Sequence, residues 1–126
     1  MTKTPVNPPD AAPAVGPYNT AVRAGDLLFC SGQIPLDPAS GEMVTGDIQN
    51  QTRRVLDNVG IILRHEGLTF ANVVKATVYL TDMGDFACVN GVYAQYFTEP
   101  YAARAAVAVA ALPKGADVEI EVIAHY

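Results

Sequence analysis

The sequence predicts an α+β domain in which two helices pack on one face of a β-sheet. Three observations support this fold class. The chain has 126 residues, which is the size of one compact domain. Its candidate elements follow in the order ββ, α, β, α, ββ. Only two segments have the pattern of amphipathic helices, and two helices can cover only one face of the sheet. We therefore predict a single domain over residues 1–126.

The first third of the chain is predicted to hold an arm, a hairpin and a loop. Five prolines precede Tyr18, which indicates an extended, non-helical arm over residues 1–17. Residues 21–34 contain a Gly-Asp turn between two strand-like runs, a pattern typical of a β-hairpin. Residues 35–46 are rich in Pro, Asp, Ser and Gly and are predicted to form a loop.

The middle of the chain contains the clearest helix. Apolar residues recur at helical spacing between residues 47 and 66. Thr45 or Asp47 can cap the start of this helix, and Gly67 can end it. Residues 73–81 are β-branched and bounded by polar residues, so we predict a strand there.

The last third is predicted to hold a second helix and two strands. Large apolar residues at helical spacing, followed by Pro100, indicate the helix. These residues are Phe86, Val89, Tyr93, Tyr96 and Phe97. Residues 104–111 and 118–124 are predicted strands, separated by the turn Pro113-Lys114-Gly115.

Charge and hydropathy exclude several classes of partner. Eight Lys and Arg against thirteen Asp and Glu give a formal net charge of −5, which argues against binding to nucleic acid or an anionic membrane. No apolar run approaches the roughly 20 residues that span a bilayer. The Pro-rich, polar N-terminus does not resemble the apolar core of a signal peptide. Cys30 and Cys88 are far apart and are best interpreted as small buried hydrophobes. We expect a cytoplasmic protein.

No cofactor or metal is predicted. The common motifs for nucleotide binding, zinc proteases and serine hydrolases do not occur in the sequence. His65 and His125 are distant from each other, which favours two surface residues over a metal site.

Arg104 is the most informative charged residue, because no other charge occurs between residues 101 and 112. In a strand it shares a face with Ala106 and further alanines, small side chains that leave room for a ligand. A guanidinium matches a carboxylate as a planar, bidentate fork. Two interpretations stay open: Arg104 binds a ligand anion, or it reaches solvent or pairs with an acid of its own chain.

The last predicted strand places Glu119 and Glu121 on one face. Two glutamates together usually indicate a solvated face. Ile123 shares that face, however, so Glu121 can be partly covered. A partly buried glutamate has a raised pKa and suits general acid–base catalysis. Both interpretations stay open.

Short segments over nearly the whole chain carry a resemblance to a known family. They are Gly16-Pro17-Tyr18, Cys30-Ser31-Gly32-Gln33-Ile34-Pro35, Leu56-Asp57-Asn58-Val59, Val74-Lys75-Ala76-Thr77-Val78-Tyr79-Leu80, Asp85-Phe86, Val89-Asn90, Tyr96-Phe97, Ala103-Arg104, Leu112-Pro113 and Val118-Glu119-Ile120-Glu121. In this order and spacing the chain resembles the RidA family of reactive intermediate deaminases, formerly called the YjgF family.

The resemblance implies a chorismate-mutase-like fold, with a mixed sheet and two helices on one face. It also implies a homotrimer with its sites in the clefts between subunits. Members of the family hydrolyse 2-imino acids such as 2-iminopropanoate and 2-iminobutanoate, and their enamine tautomers, to 2-oxo acids and ammonia. The expected ligands are therefore small 2-imino and 2-oxo acids, with no cofactor.

By this resemblance Arg104 would clamp the substrate carboxylate. Glu121 would position or activate water and assist the departure of ammonia. Tyr18 would pack on the substrate from the cleft wall, unless it only anchors the arm. The backbone at Gly32 and Ala106 would contact the imine nitrogen or water.

Ser31 and Asn90 would shape and support the pocket, although a turn hydroxyl and a helix residue bonded to a loop are the simpler interpretations. The chain departs from the family at Ala106, where many members have cysteine. It also departs in the loop over residues 98–102, which looks shorter than usual and lacks the common proline before Ala-Arg.

Two other functions stay open from the sequence. A non-catalytic protein that binds small carboxylates such as 2-oxobutanoate would need Arg104 but not Glu121. An RNA-cleaving protein would fit old descriptions of the family, but the acidic charge and the lack of a basic stripe or a histidine pair argue against it.

Overall fold

A computed structural model describes residues 2–126; Met1, the first residue of the predicted domain and arm, lies outside the described residues. The elements are β1 (Lys3–Val6), β2 (Ala21–Ala24), β3 (Leu27–Gln33), α1 (Ile48–His65), β4 (Val73–Leu80), α2 (Phe86–Tyr93), β5 (Ala103–Ala108) and β6 (Val118–His125). The strands form one six-stranded sheet in the order β1-β2-β3-β6-β4-β5. β4 and β5 are parallel and the other neighbours are antiparallel, so the expected mixed sheet is confirmed.

Both helices pack on the same face of this sheet, as predicted. The central strands β4 and β6 alternate between buried residues, which touch the helices, and less buried residues on the opposite face. The buried set includes Ala76, Val78, Leu80, Val118, Ile120, Val122 and Ala124. It forms one core with the apolar stripe of α1 and the inner face of α2. Burial of this continuous apolar surface is the main contribution to stability.

The sequence signals at the ends of α1 act as predicted. Of the two candidate caps, Asp47 is the one used, because its carboxylate accepts a hydrogen bond of 2.8 Å from the Gln49 amide. Gly67 follows the helix with a φ of 73°, a left-handed conformation that glycine adopts without a steric penalty.

The arm contains a strand that the sequence analysis did not predict. Lys3–Val6 pair with β2 in antiparallel register, with Pro5 opposite Val22. The prolines weaken any strand signal, but β1 lies at the sheet edge, where a missing backbone donor is tolerated. The rest of the arm is attached through Asn7, whose side-chain oxygen accepts a hydrogen bond of 2.9 Å from the Thr20 amide.

Two predicted elements are shorter in the structure. The second helix ends at Tyr93, and Tyr96 and Phe97 follow it in turns. Phe97 remains in the core because its ring stacks on Tyr93 at a centroid distance of 4.1 Å. The predicted strand over residues 104–111 ends at Ala108, which pairs with Leu80, the last residue of β4. Without a partner strand beyond that point, the ladder cannot continue.

We call the sheet face opposite the helices the open face. It carries Phe29, Thr77, Tyr79, Val107 and Glu121. Phe29 and Val107 are 42% and 41% exposed, so large apolar side chains on this face lack cover within the chain. Among the described helices, none has the length and apolar character needed to cross a membrane.

Candidate active site

A groove of about 700 Å³ lies between the arm and the last residues of β3. Tyr18, Ser31 and Gly32, three residues predicted for the site, line it together with Lys114 and Glu119. The structure therefore brings part of the predicted site together. It also adds two charged residues for which no role in the site was predicted.

A β-bulge shapes the floor of this groove. Cys30 pairs with Val122 and Gln33 with Ile120, so β3 carries one extra residue at Ser31–Gly32. Bulges interrupt the ladder and redirect side chains beside many functional sites. Here the Glu119 carboxylate lies directly over Gly32, and a Cβ atom at residue 32 would overlap it. Only glycine leaves this space for Glu119.

Ser31 connects the bulge to the segment between the arm and β2. Its hydroxyl donates a hydrogen bond of 2.6 Å to the Asn19 carbonyl, and its amide donates one of 2.9 Å to the Thr20 carbonyl. These bonds hold the chain on which Tyr18 lies. The Tyr18 side chain is half exposed at the groove, and its hydroxyl accepts a bond of 3.4 Å from the Val15 amide.

Glu119 has the properties of an acid–base group. Burial raises the pKa of its carboxyl above the usual range, and the neighbouring Glu121 carboxylate raises it further. A carboxyl whose pKa lies closer to neutral exchanges protons more readily at working pH. The groove therefore combines the titratable carboxyl of Glu119 with the Tyr18 side chain.

Glu121, the glutamate predicted for catalysis, lies outside the groove. Its Oε1 accepts a hydrogen bond of 2.7 Å from the Tyr79 hydroxyl. It lines a separate cavity of about 190 Å³ on the open face, with Phe29, Lys75 and Thr77 among the other lining residues. The alternation of the strand puts both glutamates on one face and does not indicate which of them faces the groove. Because the bulge decides this, sequence reasoning missed Glu119.

Arg104 belongs to a second group of predicted residues, on β5 and α2. Its Nη1 donates a hydrogen bond of 2.7 Å to Asn90 Oδ1, and its guanidinium lies 4.7 Å from the ring centroid of Tyr93 and 5.4 Å from that of Phe86. Within residues 2–126 the only ion pair joins His65 and Glu66, so no carboxylate lies within 4.0 Å of Arg104. Pairing with an acid of its own chain is thus excluded for the described residues.

Ala106 lies beside Arg104 on the same face of β5, half-buried against the core. Its small side chain leaves the arginine without a large neighbour along the strand, as the sequence pattern indicated.

The two groups of residues do not meet within one chain. The groove lies at β3, and Arg104 lies on β5, with β6 and β4 between them. Three interstrand spacings correspond to about 14 Å. Arg104 is also in register with Ala76 on the helix side, whereas Glu119 is opposite Tyr79 on the open face. A small imino acid cannot contact both groups of the same chain.

The remaining titratable candidates take no part in the groove. His65 contacts Glu66 and His125 contacts the Tyr126 carbonyl, and neither lines the groove. In the part of the chain that the structure describes, no three His, Cys, Asp or Glu residues are grouped as metal ligands would be. Cys30 and Cys88 are free; burial raises the pKa of the Cys30 thiol to about 12, whereas Cys88 is exposed.

These features define a small α+β protein with a titratable glutamate in one groove and, at the sheet edge, an arginine without a carboxylate partner among the described residues. Residues 9–126 match the family model described as Endoribonuclease L-PSP. A RutC family protein of Pyrococcus horikoshii is 53% identical over 116 residues, which are 92% of each chain. A 2-iminobutanoate/2-iminopropanoate deaminase of Bos taurus is 52% identical over 114 residues, 90% of this chain and 83% of the relative.

Among solved structures, the Rid family protein YyfA of Yersinia pestis superimposes with a TM-score of 0.96 at 43% identity, covering 99% of this chain and 100% of that one. The chain therefore belongs to the RidA family, whose family model carries the endoribonuclease description. The resemblance and the fold class inferred from the sequence are confirmed. The relatives carry different names: the Bos taurus protein is named a deaminase, whereas the Pyrococcus horikoshii protein is named only as a RutC family member.

Proposed function

We propose that this protein hydrolyses reactive 2-imino acids and their enamine tautomers, such as 2-iminopropanoate and 2-iminobutanoate, to 2-oxo acids and ammonia. Family membership and the mammalian relatives named as deaminases support this proposal. The observation that carries it is Arg104, a guanidinium held by Asn90 and two aromatic rings that has no carboxylate partner within residues 2–126. A substrate carboxylate would complete its coordination.

The active site of this proposal lies between two copies of the chain in a homotrimer. Because Arg104 and the groove are separated within one chain, Arg104 of one copy would meet the groove of the next. The exposed apolar residues of the open face support association, since a second copy would cover them. β5 is an edge strand, which leaves Arg104 accessible to a neighbour.

The proposed reaction needs positioning and proton transfer only. Arg104 binds the carboxylate, and water attacks the carbon of the protonated imine. Glu119 accepts a proton from this water and passes it to the nitrogen of the tetrahedral adduct. As the carbon–nitrogen bond breaks and the carbonyl forms, Glu119 takes the remaining hydroxyl proton of the adduct and gives it to the departing ammonia. One water is consumed, and one 2-oxo acid and one ammonium ion are released. The role predicted for Glu121 thus passes to Glu119, the glutamate that lines the groove.

The other predicted residues keep supporting roles. Tyr18 would pack on the substrate, and the backbone of Gly32 and Ala106 would contact the imine nitrogen or water. Ser31 holds the segment that follows Tyr18, and Asn90 holds the Arg104 guanidinium. The proposed setting is the cytoplasm, where such a reaction removes reactive imines, and no nucleic acid partner is proposed for a chain with a net charge of −5.

The test is hydrolysis of 2-iminopropanoate and 2-iminobutanoate, generated in situ by a dehydratase and followed through loss of the imine signal. Arg104→Ala should reduce kcat/KM by about 10³-fold, because the carboxylate loses a bidentate charged partner. Arg53→Ala is the matched control: Arg53 is also exposed and also donates to one side-chain amide, that of Gln95. It should retain wild-type kinetics.

Two results would contradict the proposal. Equal activity of Arg104→Ala and wild type would remove the carboxylate clamp. Tight binding of 2-oxobutanoate by a wild-type protein that accelerates no imine hydrolysis would instead identify a binding protein.

A further inference from the structure

Two buried amide side chains project from α1. Gln51 is 2% exposed and Asn58 is 3% exposed, and they are seven residues apart, which places them on one face of the helix. A buried amide is costly unless its polar atoms are hydrogen-bonded. Both amides meet that requirement through segments that form the groove, rather than through α1 alone.

Gln51 holds the segment that enters β6. Its Nε2 donates a hydrogen bond of 2.8 Å to Asp117 Oδ2, and its Oε1 accepts one of 3.1 Å from the Asp117 amide. The same Nε2 also donates a hydrogen bond of 3.2 Å to the Gly46 carbonyl. Asp117 lies two residues before Glu119. These bonds therefore fix the start of β6, and with it the position of the Glu119 carboxylate next to Gly32.

The same segment contains a conformationally constrained residue. Lys114 has a φ of 55° and a ψ of 28°, a left-handed conformation that is uncommon outside glycine. Lys114 and Glu119 both line the groove, and Asp117, which Gln51 holds, lies between them in the sequence. A residue held in this conformation depends on its surroundings to maintain it.

Asn58 holds the opposite wall. Its Nδ2 donates hydrogen bonds of 2.7 Å to the Leu36 carbonyl and 3.2 Å to the Ile34 carbonyl, and Ile34 and Leu36 both line the groove. The Asn58 Oδ1 in turn accepts a hydrogen bond of 3.1 Å from Arg54 Nε. One face of α1 therefore holds two walls of the groove. Gln51 bonds the segment that leads to Glu119, and Asn58, two turns later, bonds the segment Ile34–Leu36.

We propose that Gln51 and Asn58 are positioning residues of the active site: Gln51 fixes the placement of Glu119, and Asn58 fixes the width of the groove. This inference rests on the proposed function, because it assigns the two walls to proton transfer and to substrate binding. Neither residue touches the substrate, and each acts through the segment that its amide holds.

The two positions predict opposite kinetic signatures. Gln51→Met keeps the side-chain length but removes both contacts with Asp117, so Glu119 moves from its place. A displacement on the order of 1 Å in a catalytic group lowers kcat by roughly 10- to 100-fold. Asn58→Leu widens the groove and weakens binding of ground state and transition state alike, so KM rises by about 5-fold while kcat stays within about 2-fold.

Thr52→Val is the matched control. Thr52 is fully buried beside Gln51, but its hydroxyl bonds the Ile48 carbonyl within the same helix, at 2.7 Å. Thr52→Val therefore removes a buried hydrogen bond of α1 without releasing either wall, and it should leave kcat and KM within about 2-fold of wild type. A loss caused only by a weakened helix would appear in all three variants.

The Gly32 amide resonance, measured by NMR, provides a readout that needs no activity. It should move in Gln51→Met, because Glu119 packs on Gly32, and stay in place in Thr52→Val. If Gln51→Met does not fold, Gln51→Asn shortens the side chain by one methylene and should show the same pattern with a smaller loss.

The outcomes distinguish a failure of the positioning role from a failure of the proposed function. Wild-type kcat with an unmoved Gly32 resonance in the Gln51 variant overturns the positioning role, as does an equal loss of kcat in Thr52→Val. A wild-type protein that hydrolyses no imine contradicts the proposed function, and the Gly32 resonance then decides the positioning of Glu119 by itself.

Discussion

The two faces of the sheet differ in how completely one chain covers their apolar side chains. On the helix side, Val118 and Ile120 are fully buried, and α1 and α2 cover the apolar residues of the central strands. On the open face, Phe29 and Val107 remain about two-fifths exposed, beside Glu121 and Tyr79. The helix side therefore supplies the stability of the single chain. The open face retains exposed apolar surface, which the proposed homotrimer would cover.

The candidate site divides in a similar way. Glu119 and its groove lie on the open side at β3, whereas Arg104 lies on the helix side at the far edge strand. The proposed function thus assigns proton transfer and carboxylate binding to different ends of the sheet. It also predicts that a single, correctly folded chain lacks a complete site, so folding and activity should be separable by mutation.

The largest effect in this comparison is expected from only one of the two open-face glutamates, Glu119. Glu119→Gln should lower kcat by about 10²- to 10³-fold, because it removes the group that transfers the proton. Glu121→Gln should change kcat by less than about 3-fold, since glutamine can still accept the Tyr79 hydrogen bond. Steady-state imine hydrolysis by the two variants measures both values. A larger loss in Glu121→Gln would return the catalytic role to Glu121.

Association is expected to depend on the open face. Val107→Asp places a charge on apolar surface that a second copy would cover, so the oligomer should dissociate at micromolar concentration and activity should fall about 10-fold or more. Met83→Asp is the control, because Met83 is 45% exposed but lies in the turn before α2. Light scattering coupled to size exclusion, with circular dichroism for the fold, reports both effects. A wild-type oligomer in Val107→Asp would exclude this face as the interface.

Gly32→Ala tests the close approach of Glu119. The added methyl group overlaps the carboxylate and displaces it, so kcat should fall by about 10-fold. Gly91→Ala is the matched control: a Cβ there meets nothing within 4 Å, and alanine favours the helix, so stability should rise by about 0.5–1 kcal/mol with unchanged kcat. Thermal unfolding and kcat are measured on both proteins. Wild-type kcat in Gly32→Ala would show that Glu119 adapts without cost.

The smallest effect is a shift in pH dependence. Burial is the main cause of the raised Glu119 pKa, and the Glu121 carboxylate adds to it. Glu121→Gln removes that second charge, so the Glu119 pKa falls and the acid limb of the kcat/KM profile moves to lower pH. An acid limb that stays in place, or moves to higher pH, would contradict the coupling.

The same pKa predicts a dependence of stability on pH. Because the folded protein holds the Glu119 proton more tightly than the unfolded chain, folding stability falls as pH rises from the ordinary glutamate pKa through the raised value. Glu119→Gln should remove this loss. Its melting temperature relative to wild type should therefore be higher at pH 8 than at pH 4.

Local signals predicted the elements that depend on local forces. The apolar spacing, Asp47 and Gly67 predicted α1 nearly to the residue, and the alternating pattern predicted β6. The β1 strand was missed because its backbone bonds come from β2 rather than from its own Pro-rich sequence. The predicted end of β5 was wrong because β5 ends where its partner β4 ends, and β4 lies more than twenty residues earlier in the chain.

The sequence by itself determined the α+β class, the helix-covered core and the family, because these follow from periodicity, composition and motif order. Only the tertiary structure decided which glutamate enters the groove and that Arg104 lies about three strands away from it. The reason is physical: alternation along a strand specifies a face but not a neighbour. The bulge at Ser31–Gly32 and the order of the strands supply the neighbours.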